Sequence, residues 1–262
     1  MTMFPSPPVP SSHESEPSRF TGFQPGRFGK VLLGAAVVVV LGLGVWEVVD
    51  TVTDDDLEFS YAARSGDDFA DQQLLIRNGR GVPVAPILRF TALNGDGDTL
   101  PGVTVTTVCG SDRGSLVVLP HGSSDVLIFG GPLADQVADV EVTVDDAPAV
   151  DFPSVDSAVE ITAFDDEGLS TTGYSRISGV KVTNTNGLPV TVRLVYIVWT
   201  DPETGTAQQA ETVTPVGDLI TVPADGSVTV PMTGPADAAN AAAVAGDRAA
   251  GVEACYSAAA GG

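Results

Sequence analysis

Few side chains in this 262-residue sequence have a type and spacing that do chemistry. His121, Ser123, Ser124 and Asp125 bring together the residue types of a nucleophile, its base and an orienting acid. Their spacing works against them. On an extended chain successive side chains point to opposite faces, and a two-residue step does not aim a hydroxyl at an imidazole. The other histidine, His13, lies in the N-terminal tail. There is no Gly-x-Ser-x-Gly, no glycine-rich phosphate loop ahead of a helix and no His/Cys metal spacing. The acid pairs Asp145/Asp146 and Asp165/Asp166 fall in turn-like acidic segments. The expectation is a chain that is not an enzyme, with no catalytic residue, cofactor or metal ligand to assign.

Two other constellations carry chemistry of a different kind. Asn94, Asp96 and Asp98 alternate in a glycine-containing loop, a spacing that wraps oxygen ligands around calcium. The terminal bidentate glutamate of a calcium loop is missing, and a hairpin turn with solvated acids accounts for the same residues. Cys109 and Cys255 are the chain's two cysteines. In an oxidising compartment such a pair is free to bridge. They stand at non-equivalent strands of two different modules, so a bridge would staple the modules together; two separately buried thiols are the alternative.

The elements that hold these residues are mostly strands. Segments after residue 56 are rich in β-branched residues with glycine and proline between them. Residues 51–262 carry 9 of the 12 basic and 30 of the 34 acidic residues, which makes phosphate backbones and nucleic acid poor partners. Lysine is confined to Lys30 and Lys181. The bias suits either a GC-rich bacterial genome or a high-salt habitat. Ahead of the strands, residues 31–49 form an apolar run interrupted only by Glu47, long enough at 1.5 Å per residue to cross about 28 Å. Arg27 and Lys30 precede it, Trp46 stands at its far end, and acids follow. The positive-inside rule then predicts an uncleaved transmembrane signal anchor at residues 31–49, with residues 1–30 a disordered cytoplasmic tail. No small-x-small cleavage site follows the run.

The strands repeat. Leu74-Leu75-Ile76-Arg77-Asn78-Gly79-Arg80-Gly81-Val82-Pro83-Val84 aligns with Val180-Lys181-Val182-Thr183-Asn184-Thr185-Asn186-Gly187-Leu188-Pro189-Val190. Leu88 and Phe90 then match Leu194 and Tyr196, Pro120-His121-Gly122-Ser123 matches Pro223-Ala224-Asp225-Gly226-Ser227, and Val140-Glu141 matches Val252-Glu253. A period this long indicates a duplicated domain. The predicted fold is mostly β: the transmembrane helix, then two tandem immunoglobulin-like β-sandwich domains over 50–150 and 151–262. The second carries a short helix in its Ala-rich stretch Pro235 to Ala250. A hinge is expected around Ala147 to Pro153. The apolar run Thr191 to Trp199 reads as a core strand.

The pattern of an Asn/Gly turn, X-Pro-Val, a long strand, an acidic turn, a further strand and Pro-x-Gly-Ser resembles immunoglobulin-like modules of the FxLYD type. Leu88-Arg89-Phe90 and Leu194-Val195-Tyr196 approximate the aromatic strand of that family. The resemblance spans most of residues 57–258. It implies a non-catalytic binding or spacer module of an anchored or exported prokaryotic envelope protein. The expected function is a single-pass cell-membrane protein whose extracytoplasmic sandwich pair binds or braces another envelope protein as an accessory subunit or adaptor. An extracytoplasmic ligand carrier or sensor and a structural surface stalk are the alternatives.

Overall fold

A computed structural model describes residues 56–63, 71–110, 116–171, 174–200 and 207–258. The first module contains β1 (Leu57–Ala62), β2 (Gln73–Asn78), β3 (Ile87–Leu93), β4 (Thr104–Thr107), β5 (Ser123–Gly130) and β6 (Asp139–Asp146). The second contains β7 (Glu160–Phe164), β8 (Gly179–Asn184), β9 (Val190–Trp199), β10 (Ala210–Pro215), β11 (Ile220–Val222), β12 (Gly226–Pro231), α1 (Gly234–Ala245) and β13 (Ala250–Tyr256).

Each module is two sheets closed over an apolar core. In the first, the sheet β1-β2-β5-β4 faces the β3-β6 pair. Leu57, Phe59, Leu74, Ile76, Leu127 and Val142 come from alternate positions of these strands and fill the space between them. In the second, β12-β8-β7 faces a sheet built on β9, which pairs with β10 and β11 along one edge and with β13 along the other. Val180, Val182, Val192, Leu194, Tyr196 and Val222 form that core.

The repeated Asn is the clearest case of sequence dictating local structure. Asn78 Nδ2 donates to the Val82 carbonyl (2.8 Å) and the Val118 carbonyl (3.1 Å), while its Oδ1 accepts from Arg80 N (2.9 Å). Asn184 Nδ2 donates to Leu188 (2.9 Å) and Val222 (3.4 Å), and its Oδ1 accepts from Asn186 N (3.0 Å). Both side chains are buried. Each satisfies peptide groups that the turn between two strands would otherwise leave unpaired in the core. The Pro-x-Gly-Ser turn is equally constrained. Gly122 has φ +100°, and a Cβ there would stand 2.6 Å from the Ile76 carbonyl oxygen. The longer turn of the second module gives its left-handed position to Asp225 (φ +46°).

One strand position differs between the modules. After β3 the chain crosses over, and β4 pairs with β5; after β9 the equivalent β10 stays on β9.

The expected membrane-spanning helix is corrected. Among the described residues no helix is long and apolar enough to cross a membrane. The one α-helix among the described residues, α1, has 12 residues, about 18 Å, against a hydrocarbon layer of about 30 Å. It is an Ala-rich surface helix, held by Asn240, which donates to the Ile177 carbonyl (2.7 Å) and is fully buried. The segment 31–49, with Arg27, Lys30 and Trp46 in and around it, lies outside the described residues, as does the tail before it. The described architecture is β-sheet with one short helix.

The expected hinge is a splint instead. Ala85 N donates to Pro148 O (3.0 Å), Val150 N donates to Pro83 O (3.0 Å), and Ala149 bridges Val84. Phe152 is buried with its ring edge-on to Tyr256, 5.4 Å between centroids. The connecting segment is paired to the first module at one end and sunk into the second at the other.

Candidate functional site

The sequence-predicted catalytic types do not converge. His121 is exposed in its turn. Ser123 Oγ is committed to the backbone, donating to Val117 O (3.2 Å) and accepting from Leu119 N (3.3 Å). Asp125 is buried, and its Oδ1 accepts from Cys109 N (2.9 Å) and Val126 N (2.8 Å). The Asn94 loop is also self-satisfied: Asn94 Oδ1 accepts from Asp96 N and Asp98 N, both 2.9 Å, so its oxygen is spent on the turn. Asp165 closes a similar turn, accepting from Glu167 N (3.0 Å) and Leu169 N (2.9 Å). Among the described residues no group of three or more His, Cys, Asp or Glu is placed to hold a metal ion.

What the fold does bring together is the junction of the modules. Cys109, just past β4, is bonded to Cys255 on β13, with Cα atoms 5.7 Å apart and a sequence separation of 146. Around the bond lies a third apolar cluster, drawn from both modules. Val108, Cys109 and Val126 of the first meet Val195, Ile197, Trp199, Ala210, Ala249 and Cys255 of the second. The long strand β9 is therefore buried on both faces. Val192, Leu194 and Tyr196 point into its own sandwich, while Val195, Ile197 and Trp199 cover the first module. Its continuous apolar run comes from this double burial.

Backbone pairing crosses the junction too. Val117 N donates to Tyr256 O (3.0 Å), and Leu116 bridges Ser257. Val118 meanwhile pairs with Val84 of its own module, so one short segment is woven into both. At another point Gln208 N donates to Asp71 Oδ2 (2.6 Å).

Beside the disulfide is a cleft of about 60 Å³, walled by Leu116, Val117 and Leu119 from the first module and by Val159, Ile161 and Tyr256 from the second. Glu253 opens onto it. Alternation along β13 explains why: Val252, Ala254 and Tyr256 pack toward the second core, so Glu253 and Cys255 turn to the first module. Burial pushes the Glu253 carboxyl up to about 7, with the nearby Asp125 adding to the rise. The Tyr256 hydroxyl, raised by burial, accepts from Val159 N (3.1 Å). This arrangement can exchange a proton near neutrality. The Ser123 hydroxyl beside it serves the backbone and both sulfurs are in the bond.

Comparison with protein-family models, curated proteins and solved structures found no match. The geometry of the junction therefore carries the functional reading alone.

Sequence reasoning passed over Glu253, although a signal was there. It stands two residues before Cys255 in a predicted strand. A cysteine that bridges to the other module drags the same-face neighbour into the junction with it.

Proposed function

We propose that this chain is a non-catalytic binding protein whose two immunoglobulin-like modules act as one stiff bracket, holding or bracing another protein outside the reducing cytoplasm. The observation that supports it is the welded junction: a shared apolar cluster, cross-module pairing and a disulfide in one place. Tandem modules joined by a free linker sample many relative orientations, whereas a bracket presents two surfaces at a set angle and spares the entropy of aligning them on binding. A disulfide of this kind persists in oxidising compartments. The net charge of −22 keeps such a surface soluble and repels nucleic acid and anionic lipid.

A ligand carrier is less well supported. The junction cleft of about 60 Å³ has room for water, whereas pockets that enclose small ligands run to roughly 300–1,000 Å³.

The test is gentle crosslinking in the native cell, purification of tagged full-length protein in mild detergent, and mass spectrometry. A stoichiometric protein partner is the expected result. A clean monomer without a partner would overturn the reading.

A further inference from the structure

The difference between β3 and β9 leaves a slot. In the second module the carbonyl of Leu194 accepts from Val216 N (2.9 Å), and Tyr196 lies opposite Thr214 of β10. The sequence matches of these residues are Leu88 and Phe90 on β3. There the alternation is set by two bonds: Ala138 N, leading into β6, donates to Leu93 O (2.9 Å), whereas Leu100 N, on the opposite side, donates to Ala92 O (2.9 Å). Odd positions of β3 thus bond to β6, and the peptide groups of Leu88 and Phe90 point to the far edge. Among the described residues β6 is the only strand that pairs with β3, and the bridge between Leu93 and Thr99 closes only the end of that edge. Beside the open stretch Ile87 is 52% exposed and Val82 is 46% exposed, two apolar side chains without cover.

The surroundings are mainly acidic, with Arg89 and, at Ala147, Arg80 as the bases. Asp96, Asp98, Glu141, Asp145 and Asp146 are exposed on β6 and on the turn that follows β3. The base on this strand, Arg89, is already engaged by Asp145. A second copy of the chain would bring its own net −22 to the same place. The β12 edge, which lacks the neighbour that β5 has in β4, ends in Pro231, and a proline cannot donate to an incoming strand.

We propose that the free edge of β3, from Ile87 to Thr91, is the docking site for an extended, basic segment of the partner protein, added antiparallel as β10 is added to β9. Main-chain bonds to Leu88 and Phe90 would supply the attachment, the exposed Ile87 an apolar anchor, and the ring of acids the preference for lysine or arginine. This rests on the reading of the chain as a protein-binding bracket. The two separate cleanly, because a partner that binds through another surface sinks the edge and spares the bracket.

The probe is an acetylated hexapeptide alternating valine or threonine with lysine, with its glutamate counterpart as control, titrated into the full chain and followed by residue-resolved amide exchange. Without peptide, the amides of Leu88 and Phe90 should exchange fast while those of Leu194 and Tyr196 are slow. The lysine peptide should slow Leu88 and Phe90, and the glutamate peptide should not. Ile87→Lys should weaken binding by about tenfold or more, whereas Leu188→Lys, an exposed site in the other module, should leave it within about twofold. Leu88 and Phe90 still exchanging fast at saturating peptide would overturn the proposal. So would slow exchange before any peptide is added, which would mean the chain's own residues or a second copy already fill the edge. In the crosslinked complex, contacts mapping to Ile87–Thr91 support the proposal, and contacts mapping only elsewhere overturn it.

Discussion

Strands β3 and β9 are the same strand of the duplicated module, and they lead opposite lives. On β9 the outward positions Val195, Ile197 and Trp199 are buried against the first module. The matching positions on β3 are Arg89, which is exposed and ion-paired with Asp145, and Thr91 and Leu93, which are only half-buried. The inner faces both feed a sandwich core, fully at Leu194 and Tyr196 and partly at Leu88 and Phe90. The same backbone plan therefore serves as an outer cap or as a joint according to a few outward side chains. In stacked repeat arrays, too, terminal units carry a polar outer face and internal ones do not.

The sharpest way to break this contrast is to truncate one side chain from each outward row. Trp199→Ala should cost about 3–5 kcal/mol in denaturant unfolding, because it empties a fully enclosed site between the modules. Leu93→Ala, at the matching but half-buried position, should cost about 1 kcal/mol. Equal losses would show that the junction adds nothing beyond ordinary core packing. The disulfide comes next. Replacing both Cys109 and Cys255 by serine should lower stability by about 2–5 kcal/mol, and the variant should expose protease sites in the segment 147–153 that are resistant in the parent.

Glu253 and its sequence match Glu141 give a third pairing. Glu141 is exposed on β6, while Glu253 faces the junction and is held up to about 7 by burial. The folded state therefore binds this proton more tightly than the unfolded chain, whose carboxyl titrates near 4.5. Its contribution is fully present below about pH 4.5 and is lost as pH rises through about 7. Across that window stability should fall by on the order of 2–3 kcal/mol from this group. Glu253→Gln should flatten that part of the profile and stabilise the protein at pH 8. The smallest effect belongs to the exposed pair on the capping strand. Arg89→Ala should leave the denaturant midpoint essentially where it is, because an exposed, screened ion pair adds little.

The sequence carried the duplication, the strand runs and the turns, because these follow from local chemistry. The turn bonds of Asn78 to Val82 and Asn184 to Leu188 and the X-Pro-Val entry to each long strand are short-range devices, although the same Asn side chains also reach Val118 and Val222 and Gly122 abuts Ile76. Of the junction it carried only the cysteine pair, with a bridge and two separate thiols both open. The apolar run of β9 is the same whether its second face meets a core or another module, so burial on two sides was hidden in a pattern that says only "buried". The strand switch of β4 was also out of reach, since Thr104–Thr107 pairs equally well with either neighbour by composition and tertiary context decides. Residues 147–153 misled for a related reason. Two prolines and small residues suggest a loose hinge, but Pro83 and Ala85 offer them backbone partners that no local pattern reveals.

The disulfide's long reach also shapes how the chain is made. Cys109 leaves the ribosome 146 residues before Cys255, which at ordinary elongation rates is roughly 7–30 s. Throughout that interval the first module carries a lone thiol with no intramolecular mate. With two cysteines in the whole chain, only one internal connectivity exists, so there is nothing to shuffle. Any wrong bond must therefore be to a thiol of another molecule, a neighbouring nascent chain among them. Crowded synthesis, rather than isomer scrambling, is the condition under which this protein would be lost to covalent dimers.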